Sequence, residues 1–215
     1  MIYKGGSFID NALLSGVPAW GVFAGGVLVW KRDPITVQID NSGNLDIPAY
    51  ARFIDFVLIG GGASGQTGSG AVGTIGRGGE AGYWLGVTLQ RGVDVPWSTV
   101  VAAITVGAGG PRAEDHDMAA PSPGGASGVS LAGTSAIIAS GGDGTRAEAQ
   151  QSGMDAGNYT YNGKVYVGGT GGNTTVREGQ PPGAGGCGGA GGAFGNRTQG
   201  WAGGKGRVWA TFRSF

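Results

Sequence analysis

The chain has 215 residues, of which 50 are glycine, and its 14 basic and 14 acidic side chains cancel to a net charge of zero. Nearly one residue in four lacks a side chain, where about 7% is usual, and a neutral chain carries no long-range field to hold nucleic acid or an anionic membrane. One Cys and one His exclude a disulfide framework and an intrachain zinc site of the usual kind, while 6 Trp, 6 Tyr and 7 Phe are too much aromatic surface for a solvated linker.

No long apolar run follows Met1 to Gly6. Neither a signal peptide nor a transmembrane helix is therefore expected, and the protein is expected to be made in a cytoplasm and exposed only by assembly into a larger particle. Residues 1–50 contain 7 glycines and residues 51–215 contain 43, which places a boundary near residues 47–51. Residues 21–30 (GVFAGGVLVW) have apolar positions at strand spacing around Gly25-Gly26, and Ile35, Val37 and Ile39 alternate with polar neighbours. Tyr3-Lys4-Gly5 and Val17-Pro18-Ala19-Trp20 are echoed by Phe23-Ala24-Gly25 and Val27-Leu28-Val29-Trp30. Fifty such residues bury little surface alone, so 1–50 reads as a docking and oligomerisation module that completes its core against a partner or other subunits.

In 51–215, residues 53–59 (FIDFVLI), 100–106 (VVAAITV), 136–139 with their flanks and 208–212 (VWATF) read as strands. Asn162-Gly163 between Tyr159-Thr160-Tyr161 and Val165-Tyr166-Val167 predicts a two-residue hairpin turn, because both central positions need positive φ. The one helix candidate, residues 144–154, is short and polar.

Between the strands the glycines keep a period of three. Gly62, Gly65 and Gly68 follow it, then Gly70, Gly73, Gly76, Gly79 and Gly82, and residues 185–193 read GGC GGA GGA, with Gly185, Gly186, Gly188, Gly189, Gly191 and Gly192 as scaffold positions. Three residues per turn is the polyproline II repeat, which has no internal hydrogen bonds. Glycine along one edge lets a second backbone approach, so that N–H and C=O groups pair between neighbours and the main chain becomes the core. Collagen needs longer Gly-X-Y tracts and more proline than the 9 present. The competing reading is flexible low-complexity loops; the regular period and the flanking strands stand against it.

FIDFVLIGGGASG at 53–65, ITVGAGG at 104–110, ASGGDG at 139–144, PGAGGCGGAGG at 182–192 and the ending GWAGGKGRVWATFR at 200–213 resemble the glycine-rich tail-tip and tail-fibre proteins of tailed bacteriophages over about three quarters of the chain. The pieces at Tyr3-Lys4-Gly5 and Val27 to Trp30 are similar to the leader of siphophage minor tail proteins. The resemblance implies a virion tail component, trimeric, presenting loops to a bacterial surface, and some such adhesins use packed polyglycine II helices. The fold expected is all-β and irregular: a small N-terminal β module, then a Gly-rich domain of short strands and polyglycine-II-like segments with little or no helix.

Gly60-Gly61-Gly62-Ala63-Ser64-Gly65 matches the dinucleotide fingerprint, but Gln66-Thr67-Gly68-Ser69-Gly70 is a poor helix start and no βαβ unit follows. Glu114-Asp115-His116-Asp117 lies in a Pro-bounded loop that reads as a solvated acidic loop before it reads as a metal site. Cys187 reads as a small side chain in a narrow slot, and no nucleophile arrangement surrounds the single His. Neither an enzyme nor a cofactor or metal is expected.

Phe53, Phe56, Trp209 and Phe212, with Trp20 and Trp30, read as packing residues. Tyr159, Tyr161 and Tyr166 surround the hairpin, and Phe194 and Trp201 flank Asn196 and Arg197. Aromatic faces beside Asn, Gln and Arg suit sugar rings, and the same residues suit caps on the Gly tracts. Residues 111–123, 145–158 and 173–182 are further contact loops. The functions in view are a tail protein touching a host glycan or other envelope component, a purely structural tail subunit, and, from another class, an ice-binding bundle, for which no regular Thr row is present.

Overall fold

A computed structural model describes the backbone at residues 3–4, 7–8, 13–14, 17–18, 21–24 and 27–215 except Val72, with side chains described at Val27 and from Lys31 onward. The first strands form three separate antiparallel pairs. β1 (Tyr3–Lys4) pairs with β2 (Ser7–Phe8), β3 (Leu13–Leu14) with β4 (Val17–Pro18), and β5 (Gly21–Ala24) with β6 (Val27–Lys31). The last pair brackets residues 25–26, as the sequence expects. Gly25, Gly26 and Trp20, and the Trp30 side chain, lie outside the described residues.

Two four-stranded antiparallel sheets follow. One has the order β10 (Trp84–Gln90), β9 (Phe53–Ile59), β16 (Arg207–Arg213), β7 (Ile35–Ile39); the other has β13 (Ile137–Ala139), β12 (Ser127–Leu131), β11 (Val101–Thr105), β8 (Gly43–Asp46). Ile54, Phe56 and Leu58 on β9, with Val208, Ala210 and Phe212 on β16, meet Ala102, Ile104, Val129, Leu131 and Ala139 of the second sheet in one buried cluster. Period-two alternation thus builds a sandwich core. β7 and β8 lie ahead of residue 51, yet they complete these sheets by pairing with β16 and β11. The Gly-rich unit therefore begins by Ile35. Residues 144–154 hold no helix; Arg146 N–H bonds the Gly78 carbonyl instead, at 2.9 Å.

Most strands run on into glycine segments that extend the sandwich. Residues 60–69 continue β9 and donate backbone hydrogen bonds in three directions in rotation. Gly60, Ala63, Gln66 and Ser69 donate to Tyr83, Glu80, Arg77 and Thr74; Gly61, Ser64 and Thr67 to Gly125, Ser122 and Ala119; Gly62, Gly65 and Gly68 to Gly204, Trp201 and Thr198, all at 2.8–3.2 Å. Each series steps by three in both partners and in opposite senses, so the neighbours are antiparallel threefold helices. The carbonyls of Ala63, Gln66 and Ser69 accept from Gly186, Gly189 and Gly192 of a parallel neighbour, and those of Gly61 and Gly62 from Gly142 and Gly110.

Residues 183–192 form a second such axis. Cys187 donates to Arg177, Gly185 and Gly188 donate to Met154 and Gln151, and Gly183, Gly186 and Gly189 accept from Gly82, Gly79 and Gly76. Backbone pairing between neighbours satisfies groups that a polyproline II helix leaves outward-facing. A Cβ at Gly65 or Gly188 would lie within 3.0 Å of the carbonyl oxygen of Cys187 or Gly76. Glycine at every third position is thus what permits the packing. Where the row is not glycine, buried hydroxyls take part: Thr67 Oγ1 donates to the Glu114 carbonyl (2.8 Å) and accepts from Gly200 N–H (3.3 Å), and Ser127 Oγ donates to the Ile59 carbonyl (2.7 Å).

Candidate functional site

The packed segments end together, and three connections between them gather at the end remote from the sandwich. These are the connection at Gly70, Ala71 and Gly73, the loop 111–118 and the turn 193–197. Ser69, Thr67 and Gly68 bond to Thr74, Ala119 and Thr198 at that level, while Ile35, paired with Phe212, enters at the opposite end. The connections also bind one another. Gly195 N–H reaches the Gly70 carbonyl (3.4 Å), Gly70 N–H reaches Asp117 Oδ1 (2.9 Å), and Arg197 pairs with Asp117 (3.1 Å) and Asp115 (3.3 Å) while donating to the Asp115 carbonyl (2.7 Å).

This clamp holds Phe194 fully exposed, at 106% of its reference area, with φ at 55°. A non-glycine residue in the left-handed region stores about 1 kcal/mol or more and persists only where its surroundings impose it. Met118, with φ at 54°, and Ile75 are exposed nearby in the same end. Asn196 is exposed and Arg197 only partly so, since the two aspartates occupy its guanidinium. The carboxylates of the 114–117 loop are thus engaged by Arg197 and, at Glu114, by His116 (3.3 Å).

The other sequence-selected aromatics lie elsewhere. β14 (Asn158–Tyr161) and β15 (Lys164–Val167) form the expected hairpin, with Asn162 and Gly163 at φ of 46° and 73°. It covers the outer face of the first sheet. Tyr159 stacks on Trp84 at 5.5 Å, Trp84 on Trp209 at 5.6 Å, and Tyr166 meets Trp209 edge-on at 5.2 Å. Tyr161 shares a hydrogen bond with Thr88, which donates to buried Asp55, itself paired with Arg213 at 2.6 Å. Burial pushes the Tyr166 phenol up, and its hydrogen bond with Thr211 opposes this. Trp201 lies between Arg112 and Arg177, whose guanidinium carbons are 3.6 and 4.9 Å from its ring centre. Of the seven contact residues selected from sequence, the structure brings Phe194, Asn196 and Arg197 together at the end of the lattice. It places Tyr159, Tyr161 and Tyr166 in a packed stack, and Trp201 between two arginines.

The scaffold glycines divide similarly. Gly76, Gly79, Gly82, Gly185, Gly186, Gly188, Gly189, Gly191 and Gly192 each face a neighbour's backbone closely enough to bar a Cβ. Gly73 instead sits in the turn with φ at 78° and open space around it, and Gly70 abuts Gly195 across the same end. The Gly60 to Gly65 fingerprint opens the first axis, and the N–H groups of Gly60, Gly61 and Gly62 are committed to Tyr83, Gly125 and Gly204. They are closed to a phosphate.

Residues 38–213 match a glycine-rich domain family. The chain is 32% identical to the "Gene 32 protein" of Mycobacterium phage D29, over 90% of each chain, and 39% identical to the "Gene 32 protein" of Mycobacterium phage L5, over 76% of this chain and 74% of that one. The chain belongs to the glycine-rich domain family, and these relatives place it among phage-encoded glycine-rich proteins.

Proposed function

We propose that the protein is a non-enzymatic tail-tip or tail-fibre component of a phage virion that contacts the host envelope through loops on a rigid backbone lattice. The observation that carries this reading is polarity: residues 31–35 enter at the sandwich end, and the clamped turns with Phe194 stand at the other. In this reading residues 1–34 dock to other tail proteins, several copies, as a trimer, share one tail, and avidity multiplies weak contacts to a cell-surface glycan or other envelope component. The relatives come from mycobacteriophages, so a mycobacterial cell is the first surface to test. Full-length protein is expected to bind such cells, and Phe194→Ala is expected to lower binding at least tenfold. Absence of binding by the unmodified protein would remove the contact role.

A purely structural tail role is the second reading. It is favoured by the outer face of the second sheet, where Val101 and Ile138 are exposed and which suits packing against another subunit. Retention of infectivity and of cell binding by particles carrying Phe194→Ala would support it.

A further inference from the structure

We infer that a cleft on the flank of the lattice, beside the aromatic stack, binds an uncharged or amino sugar; the inference deepens the surface-contact reading and rests on it. The cleft encloses about 370 Å³, at the lower end of ligand-pocket sizes. One wall is residues 80–83, the end of the lattice segment 74–83. Its burial repeats every third residue: Gly79 and Gly82 face inward, while Glu80 and Tyr83 share the outer row. At about 3.1 Å per residue they stand roughly 9 Å apart along one edge. Arg146, Glu148 and Asp155 also line it, as does Trp84, whose Nε1 donates to the Ala156 carbonyl at 2.8 Å.

The chemistry is that of saccharide recognition. Trp84 has Tyr159 and Trp209 stacked on it, but Tyr83 is 56% exposed and its side chain has no ring or hydrogen-bond partner among the described residues. An open aromatic face accepts the apolar C–H side of a pyranose. Glu80 lies beside Gly144, and among the described residues its carboxylate takes no hydrogen bond or ion pair. One Asp155 oxygen accepts from Gly171 N–H at 2.6 Å, which leaves the other for a ligand. Carboxylate oxygens accept paired hydroxyl hydrogens or an ammonium.

Charge selects within the class. Three carboxylates face one guanidinium, and Arg146 is already engaged by Glu148 at 3.1 Å and by the Ser152 carbonyl at 3.3 Å. A uronate or phosphorylated sugar would meet uncompensated negative charge.

The test is calorimetric titration of the full chain with maltotriose, chitotriose and trigalacturonate, repeated on Tyr83→Ala and Glu80→Gln. Saturable binding of maltotriose or chitotriose, at least tenfold weaker binding of trigalacturonate, and a tenfold or greater loss in each variant with an unchanged melting temperature are expected. No saturable heat with either of the first two, preference for trigalacturonate, or undiminished binding in both variants overturns the inference. Cell binding separates the two claims. Equal adsorption by the unmodified protein and Tyr83→Ala removes the cleft and leaves surface contact intact, whereas sugar binding without cell adsorption removes surface contact alone.

Discussion

A methyl group at position 65 would stand within 3.0 Å of the Cys187 carbonyl, whereas one at position 43, on the edge strand β8, meets nothing within 4 Å. The obstacle at Gly65 is backbone bonded on several sides, so neither chain can move aside cheaply. Gly65→Ala is expected to cost about 3 kcal/mol, the upper end of overpacking penalties, while Gly43→Ala changes stability by less than about 1 kcal/mol; urea unfolding of both variants measures the contrast. Cys187 projects from the second axis and is 2% exposed, and burial pushes its thiol up. The thiolate is the reactive form, so maleimide labelling near neutral pH is expected only once the protein unfolds; rapid labelling of folded protein would contradict the packing described. Phe194 tests the opposite case. Its side chain is fully exposed and its backbone left-handed, so Phe194→Gly is expected to hold or raise the melting temperature by relieving strain.

At the scale of elements, the β14–β15 hairpin is fastened to the first sheet by rings and by the Tyr161–Thr88 hydrogen bond, which leads to an ion pair joining β9 to β16. Asp55 is 3% exposed and receives Arg213 through two nitrogens, at 2.6 and 3.0 Å, and Thr88 at 2.7 Å. Asp55→Ala leaves Arg213 without that partner and is expected to cost about 3 kcal/mol in urea unfolding. The hairpin itself was legible because Asn162-Gly163 carries its own turn chemistry, and β9 was legible from an unbroken apolar run. β10 and β12 were not, since Gly86 and Gly128 interrupt them and resemble the surrounding tracts. Gly86 is there for Tyr161, whose ring occupies the space a Cβ would take. Phe194 was legible as an aromatic in a polar stretch, but the fate of Tyr159, Tyr161 and Trp201 depended on Trp84, Arg112 and Arg177, which lie far away in sequence. The Glu80–Tyr83 row was hidden for a related reason: its outward direction follows from which glycines of 74–83 face inward.

At the scale of the whole molecule, the sandwich and the lattice are one continuous body with two different cores. Side chains exclude water in the first, and main chains bond main chains in the second. The period of three forecast the second core, but which segments would neighbour one another needed the sheets, because β9, β11, β12 and β16 deliver their glycine continuations to fixed positions. A stiff extension of roughly 30 Å, from ten residues at about 3.1 Å each, separates the sandwich from the clamped turns, and the N-terminal strands enter at the sandwich's far end, which suits the proposed part that holds a particle at one end and touches a surface at the other. Amide hydrogen exchange followed by NMR tests the backbone core most directly. The N–H groups of Gly62, Gly65, Gly68, Gly186 and Gly189 are each bonded to a neighbouring segment and are expected to exchange only through global unfolding, at the rate of the β9 and β16 amides, while Gly73 and Phe194 exchange freely. Exchange of the five glycine amides as fast as that of the turns would contradict the account.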